Sequence, residues 1–328
     1  MGESREGGGS DDGLTLQYRD RSTGSATMQN TLGLTFTPLH PVFAADCSGI
    51  DIGEPISPEI ADVIHDAMDQ YAVLVFRRGK PLTTNQQIRF TKSLGELEGL
   101  YTKIQPEQGV RLDNPLLSDI SNLAPGDKIL PPEDRKRQFS MGNRLWHSDS
   151  SYKTIPAKYS ALCAHVIPPT GGETEFADMR AAWDMLDAAT KAQIKDLVTE
   201  HSRIFSKGTL GFQFTESELR DFAPVRQPLV RPHPRTGRHS IYLSAHAGRI
   251  VGWPQPEALM LLRELTEHAT QREFVYRHKW QAGDLVMWDN RTTMHRGRAY
   301  EDTRYPRDLR RTTLTSGALA TGFTHALQ

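Results

Sequence analysis

His147 and Asp149 are the residues of this sequence whose types and spacing point most directly to chemistry. They lie in the run Gly142–Tyr152, whose aromatic residues suit an extended segment. In such a segment, side chains two residues apart point to the same face, so His147 and Asp149 would be aimed at one point. An imidazole, a carboxylate and a second histidine form the facial triad that binds Fe(II) and leaves coordination positions open. We therefore expect a non-haem iron site and look for its third ligand.

His295 is the candidate for that third ligand. It closely follows the predicted aromatic strand 285–289, where a ligand at the mouth of a barrel would lie. Two other histidines are interpreted as structural, because His268 lies in a predicted helix and His278 lies among aromatic residues on a predicted strand. The His-x-Asp tripeptide alone is weak support, since most such tripeptides belong to surface loops or to hydrogen-bonded core histidines.

Arg307 and Arg311 are candidate anion-binding residues. The sequence predicts a strand over 307–314, in which Arg307 and Arg311 share a face with Leu309. Two guanidinium groups on one face can each bind a carboxylate through paired hydrogen bonds. The alternative is a solvated basic edge strand, which the arginines alone would favour because charged residues protect sheet edges.

The elements that must position these residues are short strands with interspersed helices. A helix is predicted to begin at Pro58, with Ser57 as its N-cap. Further helices are predicted over 84–94, 188–200 and 256–269, and around Trp183 with Asp178 as the cap; strands are predicted over 72–76, 159–167, 173–176, 239–243, 274–280 and 285–289; irregular segments are predicted over 101–141 and 201–236. This order favours a mainly β fold with flanking helices, a jelly-roll sandwich, over a parallel α/β sheet.

The amino-acid composition indicates which broad class of protein the chain belongs to. The chain has 328 residues, 37% hydrophobic and 24% charged, which is typical of a globular protein. A net charge of −1 and the lack of a long apolar run argue against nucleic acid and membrane partners. Cys47 and Cys163 lie far apart, which indicates a reducing cytoplasmic location. Residues 1–30 are polar and glycine-rich and are predicted to be a disordered extension, with order starting near Leu34 and a single domain over 31–328.

The sequence resembles the Fe(II)/2-oxoglutarate-dependent dioxygenases of the taurine dioxygenase type, and within them the 2,4-dichlorophenoxyacetate dioxygenases. The resemblance covers about residues 33–316. It is carried by the segments 145–151 (LWHSDSS), 168–182 (PPTGGETEFADMRAA), 268–278 (HATQREFVYRH), 283–291 (GDLVMWDNR) and 295–298 (HRGR). It implies a double-stranded β-helix (jelly roll, cupin-like) and a homo-oligomer.

The resemblance also implies roles for particular residues. Iron would be bound by His147, Asp149 and His295, and 2-oxoglutarate would chelate it. The far carboxylate of 2-oxoglutarate would be bound by Arg307 and Thr174. The segment between His295 and Arg307 is one residue longer than is usual in the family, but the four-residue spacing from Arg307 to Arg311 is kept.

Residues on the substrate side follow from the same resemblance. Arg311 would bind the substrate carboxylate, and further positions match substrate-side residues of the family: Asn143, Lys103, His233 and His246. For these four, a local hydrogen-bonding role in loops is an equally good interpretation.

The implied reaction consumes O2 and 2-oxoglutarate, releases succinate and CO2, and hydroxylates the carbon next to the carboxylate of an aryloxyalkanoate. The resulting hemiacetal would collapse to a phenol and a keto acid. Two alternatives stay open: the same chemistry on a sulfonate such as taurine, and a non-catalytic jelly-roll protein that binds metal.

Overall fold

A computed structural model describes residues 27–99 and 109–316 of the chain. Strands dominate, and helices flank them. The strands are β1 Met28–Gln29, β2 Thr35–Pro38, β3 Ala45–Ser48, β4 Val73–Arg77, β5 Ser118–Ser121, β6 Ala157–Val166, β7 Thr174–Asp178, β8 Val198–His201, β9 Val225–Pro228, β10 Val230–Pro232, β11 His239–Ile241, β12 Ala247–Ile250, β13 Val275–His278, β14 Asp284–Asp289, β15 Thr293–Gly297 and β16 Asp308–Thr315. The α-helices are α1 Pro58–Tyr71, α2 Thr84–Lys92, α3 Arg135–Ser140, α4 Met179–Met185, α5 Ala188–Ile194, α6 Arg203–Gly208, α7 Glu216–Asp221 and α8 Gln255–Ala269, and the 3₁₀ helices are Met141–Arg144 and Arg272–Phe274. Among the helices described, none is long and apolar enough to cross a membrane.

The main sheet has eight strands in the order β1-β2-β3-β4-β14-β6-β16-β5. Its centre is β14, which pairs antiparallel with β4 and β6 and is buried along its whole length. Burial on both faces explains why β4 and β14 appear in the sequence as nearly continuous apolar runs rather than as alternating patterns.

A second sheet of three strands, β13-β7-β15, packs against the main sheet. One buried cluster joins them, since it contains Leu162, Val286 and Trp288 of the main sheet together with Phe176 and Tyr276 of the smaller sheet. Such interdigitated apolar side chains hold two sheets face to face. Of the functional residues predicted from sequence, Thr174 lies on β7, His295 on β15 and Arg311 on β16, and Arg307 directly precedes β16.

Helices cover the outer faces of both sheets. Helix α1 packs its buried stripe on the main sheet, and its N-terminus is capped as predicted, with the Ser57 side chain accepting from the Ile60 N–H. Helices α4 and α8 contribute to the cluster on the far side of the smaller sheet. The Asp178 carboxylate caps α4, also as predicted. The layers therefore run helix, sheet, sheet, helix.

Several predicted boundaries were wrong. The sheet begins at β1, before residue 30 and before Leu34, although residues 1–26 lie outside the described part of the chain. The helix expected over 188–200 ends at Ile194, and β8 follows because it pairs with β9 and β12.

The two segments predicted as irregular contain regular elements. The described part of the first holds β5 and α3, and the second holds α6, α7, β9 and β10. These elements are three to six residues long, and such short pieces are specified by tertiary pairing and by capping side chains more than by periodicity. An example is α7, which begins with a reciprocal capping box between Thr215 and Glu218.

Candidate active site

The structure brings the three predicted metal ligands together. His147 and His295 exchange backbone hydrogen bonds, with N–O distances of 3.0 and 2.8 Å. Asp149 lies close to both rings, with its carboxylate oxygens 3.9 Å from His147 Nε2 and 3.7 Å from His295 Nε2. One ligand atom from each residue lies within 4.8 Å of the others, and all three residues are buried. The arrangement leaves space for one ion between them.

Asp149 reaches this position in a tight turn rather than in the extended strand predicted from sequence. His147 forms an isolated bridge with His295, and the chain turns at Asp149 and at Ser150, whose φ is +54°. The turn is held through Asn290, whose Oδ1 accepts the Asp149 N–H at 3.0 Å. The two side chains still converge, but a turn and a bridge achieve this instead of strand alternation.

Ser160 and Asn290 fix the carboxylate of Asp149. The Ser160 hydroxyl donates to Asp149 Oδ2 at 2.7 Å, and the Asn290 amide donates to Ser160 Oγ at 3.0 Å. Asn290 Oδ1 also accepts the indole N–H of Trp288 at 3.0 Å, which sets the orientation of the amide. Hydrogen-bonded partners of this kind orient metal ligands and tune their basicity.

The protonation states of His147, Asp149 and His295 are those that metal binding requires. Burial lowers the pKa of His147 and lowers that of His295 well below its ordinary value, which favours neutral rings. His147 Nδ1 lies 2.7 Å from the Leu145 carbonyl, so it is the protonated nitrogen and the Nε2 lone pair faces Asp149. Burial would raise the pKa of Asp149, but the charge of Arg311 and the Ser160 hydroxyl hold it well below its usual range. Two neutral imidazoles and a carboxylate are the donors that Fe(II) takes in a facial triad.

Arg307 and Thr174 lie in the same cavity as the two histidines. Arg307 donates to the Gly172 carbonyl at 3.1 Å, its Nε has no partner, and burial lowers its pKa to about 10. Thr174 Oγ1 accepts the indole N–H of Trp280 at 3.1 Å, so its own proton is free to be donated. A desolvated guanidinium and a free hydroxyl donor suit the binding of a carboxylate.

Gly172 is required beside Arg307. Its φ is +73°, and an added Cβ would lie 3.3 Å from Arg307 Nε and 2.9 Å from the Pro168 ring. A side chain here would strain the turn and displace the guanidinium. The Gly-Gly sequence before Thr174 thus shapes the anion-binding end of the cavity.

The predicted substrate-side residues fall into four groups, of which three are described first. Arg311 and Asn143 line the cavity, and Arg311 forms an ion pair with Asp149. His246 lies close by, with its ring centroid 6.2 Å from that of His147, but its Nδ1 is hydrogen-bonded to Ser206 and it is not among the lining residues. Lys103 falls outside the described residues.

His233 lies elsewhere. Its Nε2 is 3.5 Å from carboxylate oxygens of both Asp69 and Asp289, and it is not part of the cavity lining. Its placement gives no support to the expected contact with substrate, and it favours the alternative interpretation of a local structural role.

Sequence reasoning missed residues that support the site. Ser160 and Asn290 were given no role, although Asn290 lies within the segment 283–291 that carries the family resemblance. Their contacts with Asp149 join positions 11 and 141 residues apart. The resemblance marks Asn290 as a residue to examine, but its partner could not be inferred without the fold.

Comparison with known proteins shows the family to which a chain with this cavity belongs. The family model described as "Taurine catabolism dioxygenase TauD, TfdA family" matches residues 35–313, which include every cavity residue named above. The chain belongs to this family of dioxygenases.

Particular relatives are more informative still. The chain is 44% identical over 289 residues to the alpha-ketoglutarate-dependent 2,4-dichlorophenoxyacetate dioxygenase of Cupriavidus pinatubonensis, covering 88% of this chain and 100% of the relative. It is 45% identical over 276 residues to the protein of the same description from Burkholderia sp. (strain RASC), covering 84% and 92%. A solved structure, AAD-2 in complex with Mn(II) and N-oxalylglycine, is similar with a TM-score of 0.79 and 49% identity, covering 87% of this chain and 97% of that one.

Proposed function

We propose that this protein is an Fe(II)- and 2-oxoglutarate-dependent dioxygenase that acts on aryloxyalkanoates of the 2,4-dichlorophenoxyacetate type. The observation that supports it most is the convergence of a His-Asp-His cluster and a desolvated arginine in one cavity. The similarity to 2,4-dichlorophenoxyacetate dioxygenases supports this substrate class over a sulfonate.

The chain's own residues bind and orient the reactants. His147, Asp149 and His295 would hold Fe(II), and Arg307 with the Thr174 hydroxyl would hold the far carboxylate of 2-oxoglutarate. When bound, the metal supplies the activation of O2 that is coupled to decarboxylation of 2-oxoglutarate. Ser160 and Asn290 keep Asp149 in its orientation, and the apolar side chains Leu162 and Trp288 help to exclude water from the cavity.

Arg311 would hold the substrate carboxylate, which places the adjacent ether carbon at the reacting centre. One oxygen atom of O2 enters that C–H bond and the other enters succinate. The hydroxylated carbon is a hemiacetal, so the carbon–oxygen bond to the aryl group breaks and the hydroxyl proton passes to the departing phenolate. From an aryloxyacetate, the products are a phenol, glyoxylate, succinate and CO2.

We also infer that the two facing sheets form the double-stranded β-helix implied by the sequence. The face-to-face packing of β14 and β6 on β7 supports this topology. The two free, buried cysteines, Cys47 and Cys163, suit a cytoplasmic location. The homo-oligomer implied by the resemblance stays a prediction.

A substrate panel tests the proposal. Aryloxyacetates, both enantiomers of a 2-aryloxypropionate and taurine should be assayed for succinate and for released phenol with Fe(II) and 2-oxoglutarate. We expect succinate and phenol in equal amounts with the aryloxy acids and no activity with taurine. The His147→Ala variant should form neither product. Taurine turnover alone would favour the sulfonate alternative, and unchanged activity of the variant would contradict the ligand assignment.

A further inference from the structure

Lys207 is a buried cation beside the cavity that the proposed function does not use. It is 6% exposed and lies on α6. Its ammonium donates to the Phe139 carbonyl at 2.8 Å and lies 4.4 Å from the centroid of the Phe139 ring. Among the described residues it has no carboxylate partner. A buried ammonium without a counter-ion is costly, so its retention calls for an explanation.

The position of Lys207 is set by a glycine in the cavity wall. The 3₁₀ helix Met141–Arg144 forms one wall, with Met141, Asn143 and Arg144 among the lining residues. A Cβ added at Gly142 would collide with Lys207 Nζ and would lie 2.7 Å from its Cε. The missing side chain therefore lets the ammonium approach the backbone of this wall, one layer behind the cavity surface.

Most of the positively charged side chains that line the cavity already form ion pairs. Five arginines line it, and four of them already have carboxylate partners: Arg137 and Arg144 with Asp302, Arg298 with Glu175, and Arg311 with Asp149. Arg307 lacks a carboxylate partner among the described residues and suits 2-oxoglutarate. A further positive charge behind this wall would add to the attraction that Arg311 exerts on a substrate carboxylate.

We infer that Lys207 is a specificity-determining residue that supplies this positive charge and so favours substrates bearing a carboxylate. The inference rests on the proposed function and deepens it. Lys207 acts through its electric field across the Gly142 backbone, in a region from which water is largely excluded and where charges interact strongly. Burial, and after it the charges of Arg203 and Arg311, lower the pKa of Lys207 to about 7, and the negative charge of a carboxylate bound nearby would favour the ammonium form.

The structural alternative is that Lys207 merely caps the C-terminal end of α3 through the Phe139 carbonyl. Three variants separate the two roles. Lys207→Gln keeps a hydrogen-bond donor without the charge, Lys207→Met loses both, and Lys207→Arg keeps both. Each is assayed with an aryloxyacetate and with the corresponding neutral aryloxyacetamide, through consumption of 2-oxoglutarate, after thermal unfolding has shown that the variant is folded.

We expect Lys207→Gln and Lys207→Met to raise the KM for the aryloxyacetate about tenfold, the effect of losing one charge interaction of ordinary strength. The KM for the aryloxyacetamide and the KM for 2-oxoglutarate should not change, and Lys207→Arg should stay close to the unmodified protein. A Lys207→Gln variant with unchanged kinetics beside an impaired Lys207→Met variant would show the capping role and overturn the inference. Equal losses with acid and amide would overturn it as well.

These outcomes separate the inference from the proposed function. An unmodified protein that turns over aryloxyacetates, combined with a Lys207→Gln variant whose KM is unchanged, overturns only the role of Lys207. An unmodified protein that does not turn over aryloxyacetates overturns both.

Discussion

Ser160 controls Asp149 through a single hydrogen bond of 2.7 Å between buried groups. We expect Ser160→Ala to weaken the binding of Mn(II) by about ten- to a hundredfold, because supporting hydrogen bonds of this kind contribute that much to metal affinity. Anaerobic isothermal titration calorimetry with the metal-free protein measures it. Ser240→Ala is the matched control, since Ser240 is equally buried and donates to the Arg291 carbonyl at 2.9 Å. Equal effects of the two changes would contradict the assignment.

Arg307 should govern the affinity for 2-oxoglutarate. Replacing it with Met removes the buried guanidinium, and we expect the Kd of N-oxalylglycine to rise by about a hundredfold or more, in line with losing a desolvated charge pair. Mn(II) binding should persist. Arg310→Met provides the control, because Arg310 lies three residues further along the chain, in β16, and pairs with Asp308 at 3.0 Å. If the Arg310 change were the more harmful one, the assignment of the two arginines would have to be exchanged.

At the scale of residues, the sequence predicted the His147, Asp149 and His295 cluster that the structure brings together, and it did not predict the residues that orient Asp149. His147 and Asp149 were predicted because their residue types and spacing are typical of a metal-binding segment. Ser160 is one serine on a long buried strand, and nothing local distinguishes it from others. Its role arises only when β6 and β14 pair, which brings Ser160 opposite Trp288.

Strand β16 is anchored by a buried ion pair at its first residue. Asp308 accepts two hydrogen bonds from Arg111, at 2.6 and 2.9 Å, and these tie the segment before β5 to the strand that carries Arg311. Burial would raise the pKa of Asp308, but Arg111 and Arg310 hold it at about 2. In the unfolded chain an aspartate has a pKa of about 3.9.

The sign of the resulting pH dependence follows from linkage. A carboxyl group whose pKa is lower in the folded state stabilises that state above the unfolded value, and this contribution is lost as the pH falls through the folded value. We therefore expect Asp308→Asn to lower the free energy of unfolding most above pH ~4 and progressively less toward pH ~2. Urea unfolding at several pH values measures this. Asp127→Asn is the control, because Asp127 also contacts Arg111 but its side chain is 76% exposed. A difference that does not vary with pH would contradict the argument.

At the scale of elements, the long ones were predicted, and several of the short ones were not. Helices α1 and α8 have whole stripes of buried residues and clear first turns, so their periodicity is visible. Strand β8 adjoins α5 after three residues, and its four residues acquire a strand geometry only by pairing with β9 and β12. Tertiary contacts thus determine the secondary structure of segments whose local sequence pattern is too short to determine it.

For the whole molecule, ligands bound between the two sheets should stabilise the fold. The proposed ligands of Mn(II) and N-oxalylglycine include Thr174 on β7 and His295 on β15, so unfolding would release both molecules. At ligand concentrations a hundred times the Kd, the gain is about 2.7 kcal/mol, which for a chain of this size raises Tm by a few degrees. Differential scanning fluorimetry measures this, and His295→Ala should abolish the shift. A shift that survives in the variant would place the ligands elsewhere.

The mainly β class and the flanking helices followed from the sequence, whereas the division into a sheet of eight strands and a sheet of three did not. The reason is that β1 to β3 join the main sheet through β3 pairing parallel to β4, a contact with no local signature. The fold class could therefore be predicted from the composition and from the positions of turn residues. The order of the layers is determined by tertiary packing and could not be predicted.

The peptide groups of His147 and His295 bond to each other in both directions, independently of either ring. Removing one imidazole should therefore leave the backbone of both residues in place and create a cavity with the shape of the missing ring. Free imidazole added to a His147→Gly or His295→Gly protein should enter that cavity and restore part of the lost turnover. Other heterocycles could then be introduced as metal ligands in the same way.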